Sequence, residues 1–258
     1  MKPVICVRRY DDKDNYKVKE IIRNFVLSRF SAAFWFCIFR EITLQLIVLA
    51  TAMFFIFFGI PLIYCISSVP IVIIMIGICV YASHYNKAIE MSNMHTPICF
   101  VAEVHEPFFL RLNKKEIEYS VMTEEEVAKN QEVRKMTKKI VGTVSIKNHN
   151  SLHDSAWLYR LAIDPDYPFN IIAKSLVEAA MKHAHQHHLY TCETVSEECH
   201  EDFREVLLKI GFLIRQIYHK SIIGSSLRIM KAQMGIDLDK FFRNKKSSLD
   251  AKSDEQEY

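Results

Sequence analysis

The stretch that decides the fold is LAIDPDYPFNIIAKSL, residues 161–176. Its aliphatic start, the turn residues Asp164, Pro165 and Asp166, and the apolar spacing that follows predict a strand, a sharp turn and a helix. The first N–H groups of such a helix can hold a phosphate group. The stretch has the outline of a phosphate-binding turn, although it lacks the glycine that lets a backbone approach a phosphate closely.

The surrounding segments predict a domain of mixed α/β structure. The helix continues to residue 188 with apolar residues at helical spacing, between strand-like segments at 157–163 and 189–195. Further strands are predicted at 4–8, 98–104, 139–146, 212–218 and 226–234, and further helices at 16–30 and 200–210, where Gly211 ends the second. Strands that alternate with helices in this way indicate a mixed sheet flanked by helices.

An apolar block follows the N-terminal helix. From Ile42 to Asn86 the sequence contains no Asp, Glu, Lys or Arg. Residues 42–64 would form about 35 Å of helix, enough to cross the hydrocarbon core of a bilayer. Residues 71–85 form a second, shorter segment after a break predicted at 67–70. The block therefore predicts a membrane hairpin, with either two spans or one span and a re-entrant return.

The flanks of the apolar block indicate the side of the membrane on which the rest of the chain lies. Residues 1–40 carry nine Lys or Arg residues against four acidic ones, and Lys87 follows the block. By the positive-inside rule, both flanks stay in the cytosol. The aromatic residues at 34–36 and 39 suit the headgroup layer of the bilayer.

The remaining composition argues against several classes of function. A formal net charge of +3, without an array of basic and aromatic residues, does not indicate a nucleic-acid partner. Seven cysteines without a CxxC pair fit reduced thiols better than a disulfide framework. His183 and His187 share a helix face, but two imidazoles do not complete a zinc site, so no metal is expected.

Five pieces of the sequence occur in a characteristic order. They are VRRYDDKDNYKVKEIIRNF with the apolar block after it, CFVAEV, IVGTVSI, LYRLAIDPDY with IIAKSLV, and ETVSEECHEDFREVLLKIGF. In this order they resemble the GNAT superfamily of acetyl-CoA-dependent N-acyltransferases, in its membrane-anchored branch. That branch includes cysteine-conjugate N-acetyltransferases, N-acetylaspartate synthetase and lysine acetyltransferases of the endoplasmic reticulum. The resemblance implies a GNAT-like mixed β-sheet flanked by helices, with an inserted transmembrane helical hairpin.

The predicted organisation has four parts. Residues 1–40 hold the N-terminal strand and helix of the GNAT-like domain, and residues 41–86 form the membrane hairpin. Residues 87–242 form the main part of the domain, with a charged insertion at 105–138, and residues 243–258 form a disordered tail. Because the first and third parts build one domain, the chain must return to the side of the membrane that it left.

The resemblance assigns the opening stretch to acetyl-CoA. It implies that the backbone of Leu161, Ala162 and Ile163 pairs with the pantetheine arm. Five residues of the following helix then lie near the pyrophosphate: Asn170, which can cap the helix, Ile171, Ile172, Ala173 and Lys174. The family motif reads Arg or Gln, two residues, Gly, one residue, then Gly or Ala, with a further Gly after the first position. These positions fall on Pro168, Phe169, Ile171 and Ala173, and Ala173 alone agrees.

Glu193 is the candidate catalytic residue, a general base that accepts the proton of the attacking amine. It lies on the strand next to the cofactor segment. His153 and Asp154, in the turn before that segment, are a weaker candidate pair. Leu207 stands where many members of the family carry a Tyr that protonates the departing thiolate.

The resemblance implies a membrane-anchored N-acetyltransferase in the endoplasmic reticulum, with its GNAT-like domain on the cytosolic face. Its partners would be acetyl-CoA, membrane lipid and an amine acceptor, which is a small amino acid, a cysteine conjugate or a protein lysine. The alternative is a catalytically inactive pseudo-acetyltransferase that serves as a membrane-tethered interaction module. Pro168, Phe169, Ile171 and Leu207 favour that alternative.

Overall fold

The chain folds into one large sheet with helices on both faces. The computed structural model describes residues 2–59, 61–94, 97–107, 114–149, 152, 154–198, 200–223 and 227–254. Its strands are β1 Val4–Arg9, β2 Ile98–Glu106, β3 Ser120–Met122, β4 Thr137–Asn148, β5 Ser155–Ile163, β6 Thr191–Glu197, β7 Leu213–Ile223 and β8 Leu227–Asp237. Its helices are α1 Asn15–Ser28, α2 Phe30–Ile38, α3 Glu41–Phe58, α4 Leu62–Cys65, α5 Ser68–Asn93, α6 Glu124–Lys129, α7 Gln131–Arg134, α8 Phe169–Gln186, α9 Glu201–Ile210 and α10 Leu238–Asp254.

The described strands form a mixed sheet in the order β3-β1-β2-β4-β5-β6-β8-β7. The pairs β1–β3 and β5–β6 are parallel, and the others are antiparallel. A parallel neighbour requires a crossover connection, which α8 supplies between β5 and β6. The predicted α/β architecture with a mixed sheet flanked by helices is confirmed.

Helix α8 packs against one face of the sheet through its apolar stripe. Ile172, Leu176 and Met181 are fully buried there, with neighbours from β2, β4 and β5. Gly142 on β4 makes room for this contact, because a Cβ atom at Gly142 would lie 3.0 Å from Leu176 Cδ1 and 3.1 Å from Ile172 Cγ2. The sheet therefore holds the start of α8 close to the end of β5.

Helix α1 packs against the opposite face of the sheet. Its Val18, Ile21 and Ile22 form a buried cluster with Val101 and Ala162. Successive side chains of a strand point to opposite faces, so Ala162 faces α1 while the next residue faces α8. This arrangement puts the end of α1 beside the end of β5, where the candidate site lies.

The apolar block forms two long helices, and the break between them differs from the prediction. Helix α3 ends at Phe58, and Gly59 follows it with a φ of 60°, a left-handed conformation that favours glycine. The predicted break at 67–70 is wrong, because Ser68 begins α5 and Pro70 lies in its first turn, where proline is tolerated. The predicted shorter segment at 71–85 belongs to a helix of 26 residues, about 39 Å long.

Two helical stretches in the described residues are long and apolar enough to cross a bilayer, Asp12–Ile38 and Ile63–Asn93. The two stretches are identified by their length and composition alone, and a core helix of a soluble protein can meet the same criteria. The first stretch includes α1, whose apolar face packs on the sheet. Helix α3 contributes a shorter apolar stretch, Thr43–Phe58. Membrane insertion therefore stays a prediction.

Two further segments are regular in the structure, the charged insertion, for which the sequence allows a helix or a mobile loop, and the predicted disordered tail. The charged insertion at 105–138 contains β3, α6 and α7, and α6 begins with a capping box between Thr123 and Glu126. Residues 108–113 lie outside the described part of the chain. The predicted disordered tail begins at residue 243, whereas α10 continues through Asp254.

Candidate active site

A wedge-shaped cleft opens between the parallel strands β5 and β6. Their ladder consists of three pairs, Ser155–Thr191, Ala156–Cys192 and Trp157–Glu193. Beyond Trp157, β5 continues to Ile163 and β6 to Glu197 with no further pairing between them. Arg160 has a φ of 55°, and the register between β4 and β5 shifts beside it, so a bulge bends β5 away from its neighbour. The backbone of β5 therefore presents an open edge to the cleft.

The cleft holds a cavity of about 180 Å³. Its lining is Trp157, Leu158, Tyr159, Arg160 and Leu161 from β5, Thr194, Val195 and Glu197 from β6, Phe25, Val26 and Arg29 from α1 and its end, His84, Lys87 and Met91 from α5, and Phe169, His200 and Phe203. Ligand pockets usually measure about 300–1,000 Å³, so the cavity is narrow. It is large enough for part of a ligand.

Two aromatic rings and one arginine close the mouth of the cleft. The ring of Phe169, the first residue of α8, stacks on Phe25 at a centroid distance of 6.2 Å. The Arg29 guanidinium lies 5.2 Å from the Phe25 centroid and 5.7 Å from the Phe169 centroid. Arg29 Nη1 also donates to Asp202 Oδ2 at 2.9 Å, which connects the mouth to α9.

Glu197 and His200 give the cleft its electrostatic character. Glu197 Oε1 accepts hydrogen bonds from Lys87 Nζ at 2.8 Å and Lys231 Nζ at 2.9 Å. Burial opposes the charged form of Glu197, but the two ammonium groups outweigh it and lower the pKa to about 2. Burial lowers the pKa of His200 to about 4, although the Glu197 carboxylate acts in the opposite direction. At neutral pH the cleft therefore contains an ionised carboxylate and a neutral imidazole.

Arg160 is a buried cation in the wall of the cleft, with 7% of its surface exposed. Its Nη1 donates to the carbonyl of Met94 at 2.9 Å. Its Nε is buried and has no hydrogen-bond partner in the described part of the chain. Burial lowers the pKa of this guanidinium below its usual range. A buried donor without an acceptor is rare in folded proteins, so the cleft suits a ligand with an acceptor oxygen.

The structure distributes the eight predicted cofactor residues over different environments. Leu161 lines the cleft, whereas Ala162 faces α1 and Ile163 lies in the core beneath α8. Ile172 and Ala173 are fully buried in that core, and Ile171 packs against it. Asn170 and Lys174 are exposed to solvent. The eight side chains do not form one site, because neighbouring strand residues alternate between faces and helical residues rotate by about 100°. Asn170, Ile171 and Lys174 line a separate cavity on the outer side of α8. Contact through backbone groups stays a prediction for these residues.

The start of α8 also differs from the prediction. The helix begins at Phe169 with Pro168 as its N-cap, and no side chain caps it. Asn170 is the second helical residue, so the expectation that its side chain caps the helix is wrong. Proline has no N–H group, so the N–H groups of the first turn begin at Phe169.

Glu193 lies at the apex of the cleft, in the last ladder pair of β5 and β6. Its side chain is 1% exposed, and both oxygens have partners. Arg215 Nη1 donates to Oε1 at 2.6 Å, and Gln233 Nε2 donates to Oε2 at 2.7 Å. Glu193 shares a face of β6 with Glu197, but it does not line the 180 Å³ cavity. The two partners hold its carboxylate in one orientation.

The other residues that the sequence singles out lie away from the cleft. His153 is outside the described residues, and Asp154 is exposed before β5. Leu207, on α9, is fully buried in the main hydrophobic core. The rings of His183 and His187 are 4.3 Å apart on α8. Within the described ranges, no group of three or more His, Cys, Asp or Glu residues could hold a metal ion.

Sequence reasoning missed the residues that approach the cleft from distant segments. Phe25 and Arg29 come from the end of α1, Lys87 from α5 and His200 from the turn before α9. None of them belongs to a local motif. Arg160 lies within the segment that the sequence assigns to the cofactor. Its burial could not be predicted, because arginine side chains are seldom buried.

Comparison with known proteins gives a family match. Residues 90–212 match the family model described as Acetyltransferase (GNAT) family. This range includes β2, β4, β5, α8, β6 and α9, and therefore both walls of the wedge. No curated protein matches the sequence of this chain at a significant level.

Several solved structures resemble the chain at low sequence identity. A spermidine N-acetyltransferase from Vibrio cholerae, in complex with CoA and spermine, is 12% identical with a TM-score of 0.46, over 92% of this chain and 98% of that one. The yncA protein of Salmonella typhimurium, solved with its cofactor acetyl-CoA, is 10% identical with a TM-score of 0.45, over 91% and 94%. The ribosomal-protein-S18-alanine N-acetyltransferase from Escherichia coli is 17% identical with a TM-score of 0.34, over 39% and 63%.

The chain covers 57%, 64% and 63% of the first three solved structures in this comparison, which is less than two thirds of each. The family match rests instead on residues 90–212, and the sheet of this chain supports it. The match supports the predicted resemblance to the GNAT family over residues 90–212, while its membrane-anchored branch stays a prediction. Residues 90–212, which include both walls of the wedge, thus match the sequence pattern of the GNAT acetyltransferase family.

Proposed function

We propose that this protein is a membrane-anchored N-acetyltransferase that uses acetyl-CoA. The observation that carries the proposal is the separation of β5 from β6 after Trp157, beside the bulge at Arg160. An extended ligand with amide groups can pair with an open strand edge as an added strand would. The edge of β5 from Leu158 to Ile163 would hold the pantetheine arm in this way.

Acetyl-CoA supplies a thioester carbonyl that an amine can attack. The chain contributes the open edge of β5 and the buried donor Arg160 Nε, which fits an acceptor oxygen of the bound molecule. Glu193 at the apex would accept the proton of the attacking amine, directly or through a water molecule. Arg215 and Gln233 would orient its carboxylate.

The acceptor proposed from the sequence is an amine of a small amino acid, a cysteine conjugate or a protein lysine. An acetylation assay with purified protein, acetyl-CoA and one amine of each class would test this proposal. We expect free CoA thiol to appear with at least one of the three. No turnover with any class, at saturating acetyl-CoA, would contradict it.

The membrane anchor is proposed from α3 and α5. Both helices expose large apolar side chains, including Val48 at 67% and Phe57 at 72% in α3 and Ile74 at 61% in α5. Exposed apolar surface of this extent favours a lipid environment over water. Helix α1 precedes the apolar helices in the sequence and strand β2 follows them, and α1 and β2 pack together in the same domain. The apolar helices would therefore enter and leave the membrane on one side.

We further propose that this side is the cytosolic face of the endoplasmic reticulum. Protease added to intact microsomes should then reach the N-terminal and C-terminal segments. Protection of either segment would contradict the proposed topology.

The closed mouth of the cleft supports a second candidate, an inactive pseudo-acetyltransferase that acts as an interaction module. Phe169 occupies a glycine position of the family motif, and its ring stacks on Phe25. Leu207 has no proton to give to a thiolate. Calorimetric titration of the detergent-solubilised full chain with CoA separates the two candidates.

For the enzyme we expect heat of binding that Val195→Trp abolishes, since the indole would fill much of the cavity. Leu208→Trp is the matched control, because Leu208 is 48% exposed on α9 and does not line the cavity. No heat at millimolar CoA with the unmodified protein would favour the interaction module.

A further inference from the structure

The guanidinium of Arg160 is a buried positive charge without a negative partner among the described residues. Its residue is 7% exposed. The titratable groups that act on its charge are the Cys99 thiol and the phenols of Tyr159 and Tyr10, and none of them is a carboxylate. Burial raises the pKa of both phenols, so they stay uncharged at neutral pH. Because buried charges in proteins are usually paired, this guanidinium suits an anion.

A neutral hydrogen-bond acceptor satisfies only part of this requirement. Arg160 Nη1 donates to the Met94 carbonyl at 2.9 Å, whereas Nε is buried without an acceptor in the described part of the chain. An amide oxygen of pantetheine can accept from Nε, but it carries no charge. A carboxylate or phosphate group accepts the N–H bond and neutralises the guanidinium, and its oxygens match the planar fork of arginine.

The other lysine and arginine side chains that line the cavity are already in ion pairs. Arg29 pairs with Asp202. Lys87 and Lys231 share the carboxylate of Glu197, so this cluster has one positive charge in excess. The cavity is therefore surrounded by more positive than negative charge, which favours an anionic ligand over a cationic one.

The position of Arg160 indicates which molecule supplies the anion. Met94, whose carbonyl accepts the Nη1 bond, directly follows α5. Helix α5 packs beside α1, on the face of the sheet opposite α8. The family resemblance implies that the pyrophosphate of CoA lies at the start of α8, on the other face. An acetyl acceptor that enters the cleft from the side of α1 and α5 would bring its own acid group to Arg160.

We infer that Arg160 binds a carboxylate of the acetyl acceptor, so the acceptor is an amine that also carries an acid group. Of the three acceptor classes proposed above, a free amino acid and a cysteine conjugate have such a group. A lysine side chain within a protein does not. The inference rests on the proposed function, because it assigns the second substrate of that reaction.

Matched acceptors test the inference on the unmodified full chain in detergent. Alanine is compared with alaninamide, and S-methylcysteine with its carboxamide, at saturating acetyl-CoA. The carboxamide keeps the shape of the acid without its charge, and its amine is less basic, so a shortage of free amine cannot explain slower turnover. We expect kcat/KM to be about 10- to 100-fold higher for the acids, the usual effect of one charge-assisted contact. Equal values would overturn the inference while the proposed function stands.

Arg160→Gln should remove the preference for the acids. We expect kcat/KM to fall by about 10- to 100-fold for the acids and to change by less than about threefold for the carboxamides. Arg23→Gln is the matched control, because Arg23 reaches from α1 to Ser92 near the end of α5 without lining the cavity. It should keep the preference. Arg160→Lys covers the case in which Arg160→Gln fails to fold, and its retained charge should leave a reduced preference.

Calorimetry distinguishes the acceptor from CoA as the source of the anion. Arg160→Gln should leave the affinity for CoA within about twofold of the unmodified chain. Weaker CoA binding with an unchanged preference for the acids would overturn the inference and assign the anion to CoA. If the unmodified chain acetylates no acceptor, titration of its CoA complex with alanine and S-methylcysteine decides. Binding that Arg160→Gln abolishes would sustain the inference without the activity, and no binding would overturn both.

Discussion

The ring of Phe169 lies parallel to the ring of Phe25, with an interplanar angle of 7° and centroids 6.2 Å apart. One ring belongs to the first turn of α8 and the other to α1, on opposite sides of the cleft mouth. Phe169 occupies a position where the family motif has glycine. The pair therefore forms a closure that a glycine could not make.

Replacing this ring should open the cleft. We expect Phe169→Ala to tighten CoA binding by about 2- to 10-fold, because separating an aromatic pair costs about 0.5–1.5 kcal/mol. The same variant should lose about 1–3 kcal/mol of unfolding free energy, since Phe169 is partly buried against the core. Calorimetry and thermal unfolding measure the two effects.

Phe241→Ala is the control for this prediction, because Phe241 packs against the core from α10 without lining the cleft cavity. It should lower stability without changing CoA affinity. Weaker CoA binding by Phe169→Ala would mean that the ring contributes to the binding site and does not close it.

The ion pairs of Glu197 should make stability depend on pH in the acid range. Its folded pKa of about 2 lies below the usual value of 4.5, so its stabilising effect is present above about pH 4.5. The effect is lost as the pH falls from about 4.5 to 2. A difference of this size corresponds to about 3 kcal/mol. Thermal unfolding between pH 7 and pH 3 should therefore show a steeper loss in the unmodified protein than in Glu197→Gln.

Glu118→Gln provides the comparison for Glu197. Glu118 also pairs with a lysine, but its side chain is 84% exposed. Solvent screens such a pair, so this variant should retain the acid-induced loss of the unmodified protein. Identical pH profiles for Glu197→Gln and the unmodified protein would contradict the role of the Lys87–Glu197–Lys231 cluster.

The contact between β4 and α8 depends on the absence of a side chain at Gly142. A methyl group there would meet Leu176 and Ile172 at 3.0–3.1 Å, within a fully buried core. We expect Gly142→Ala to lower the unfolding free energy by about 1–3 kcal/mol, as overpacking usually does. Thermal unfolding checks this, and the double variant with Leu176→Val, which lacks the clashing Cδ1 atom, should recover part of the loss. No recovery would place the strain elsewhere.

Much of the fold could be predicted because its signals are local. The periodicity of α8, the turn before it and the stop at Gly211 are encoded within a few residues, and all three are present. The insertion of β8 between β6 and β7 could not be predicted, since pairing joins residues that are far apart in sequence. The sequence places the break in the apolar block at Pro70, but Pro70 lies in the first turn of α5, where proline is tolerated. The first helix of the block ends instead before Gly59, which has a left-handed conformation.

The candidate site likewise contains residues that local sequence predicts and residues that only long-range packing brings together. Leu161 and Glu193 are predicted from the segments that contain them, and both lie at the wedge between β5 and β6. Arg29, Lys87 and His200 reach the cleft only through packing of α1, α5 and α9 around the sheet. Their roles depend on long-range contacts, such as the ion pair between Arg29 and Asp202, which no local pattern in one sequence contains.

Glu193 offers the sharpest test of catalysis. We expect Glu193→Gln to lower kcat by about 10²–10⁴-fold, the usual contribution of a general base. The amide keeps the shape of the side chain, although Arg215 loses its charged partner and stability falls by about 1–3 kcal/mol. Activity is therefore measured well below the unfolding temperature of the variant.

Glu178→Gln is the matched control for Glu193, because Glu178 pairs with Lys245 at 2.7 Å on α8, outside the cavity between β5 and β6. It should leave kcat unchanged. If Glu193→Gln lowers stability while kcat persists, Glu193 is a structural carboxylate. The pair with Arg215 would then serve to hold β6 and β7 across β8, and the proton would have to pass to another group at the cleft.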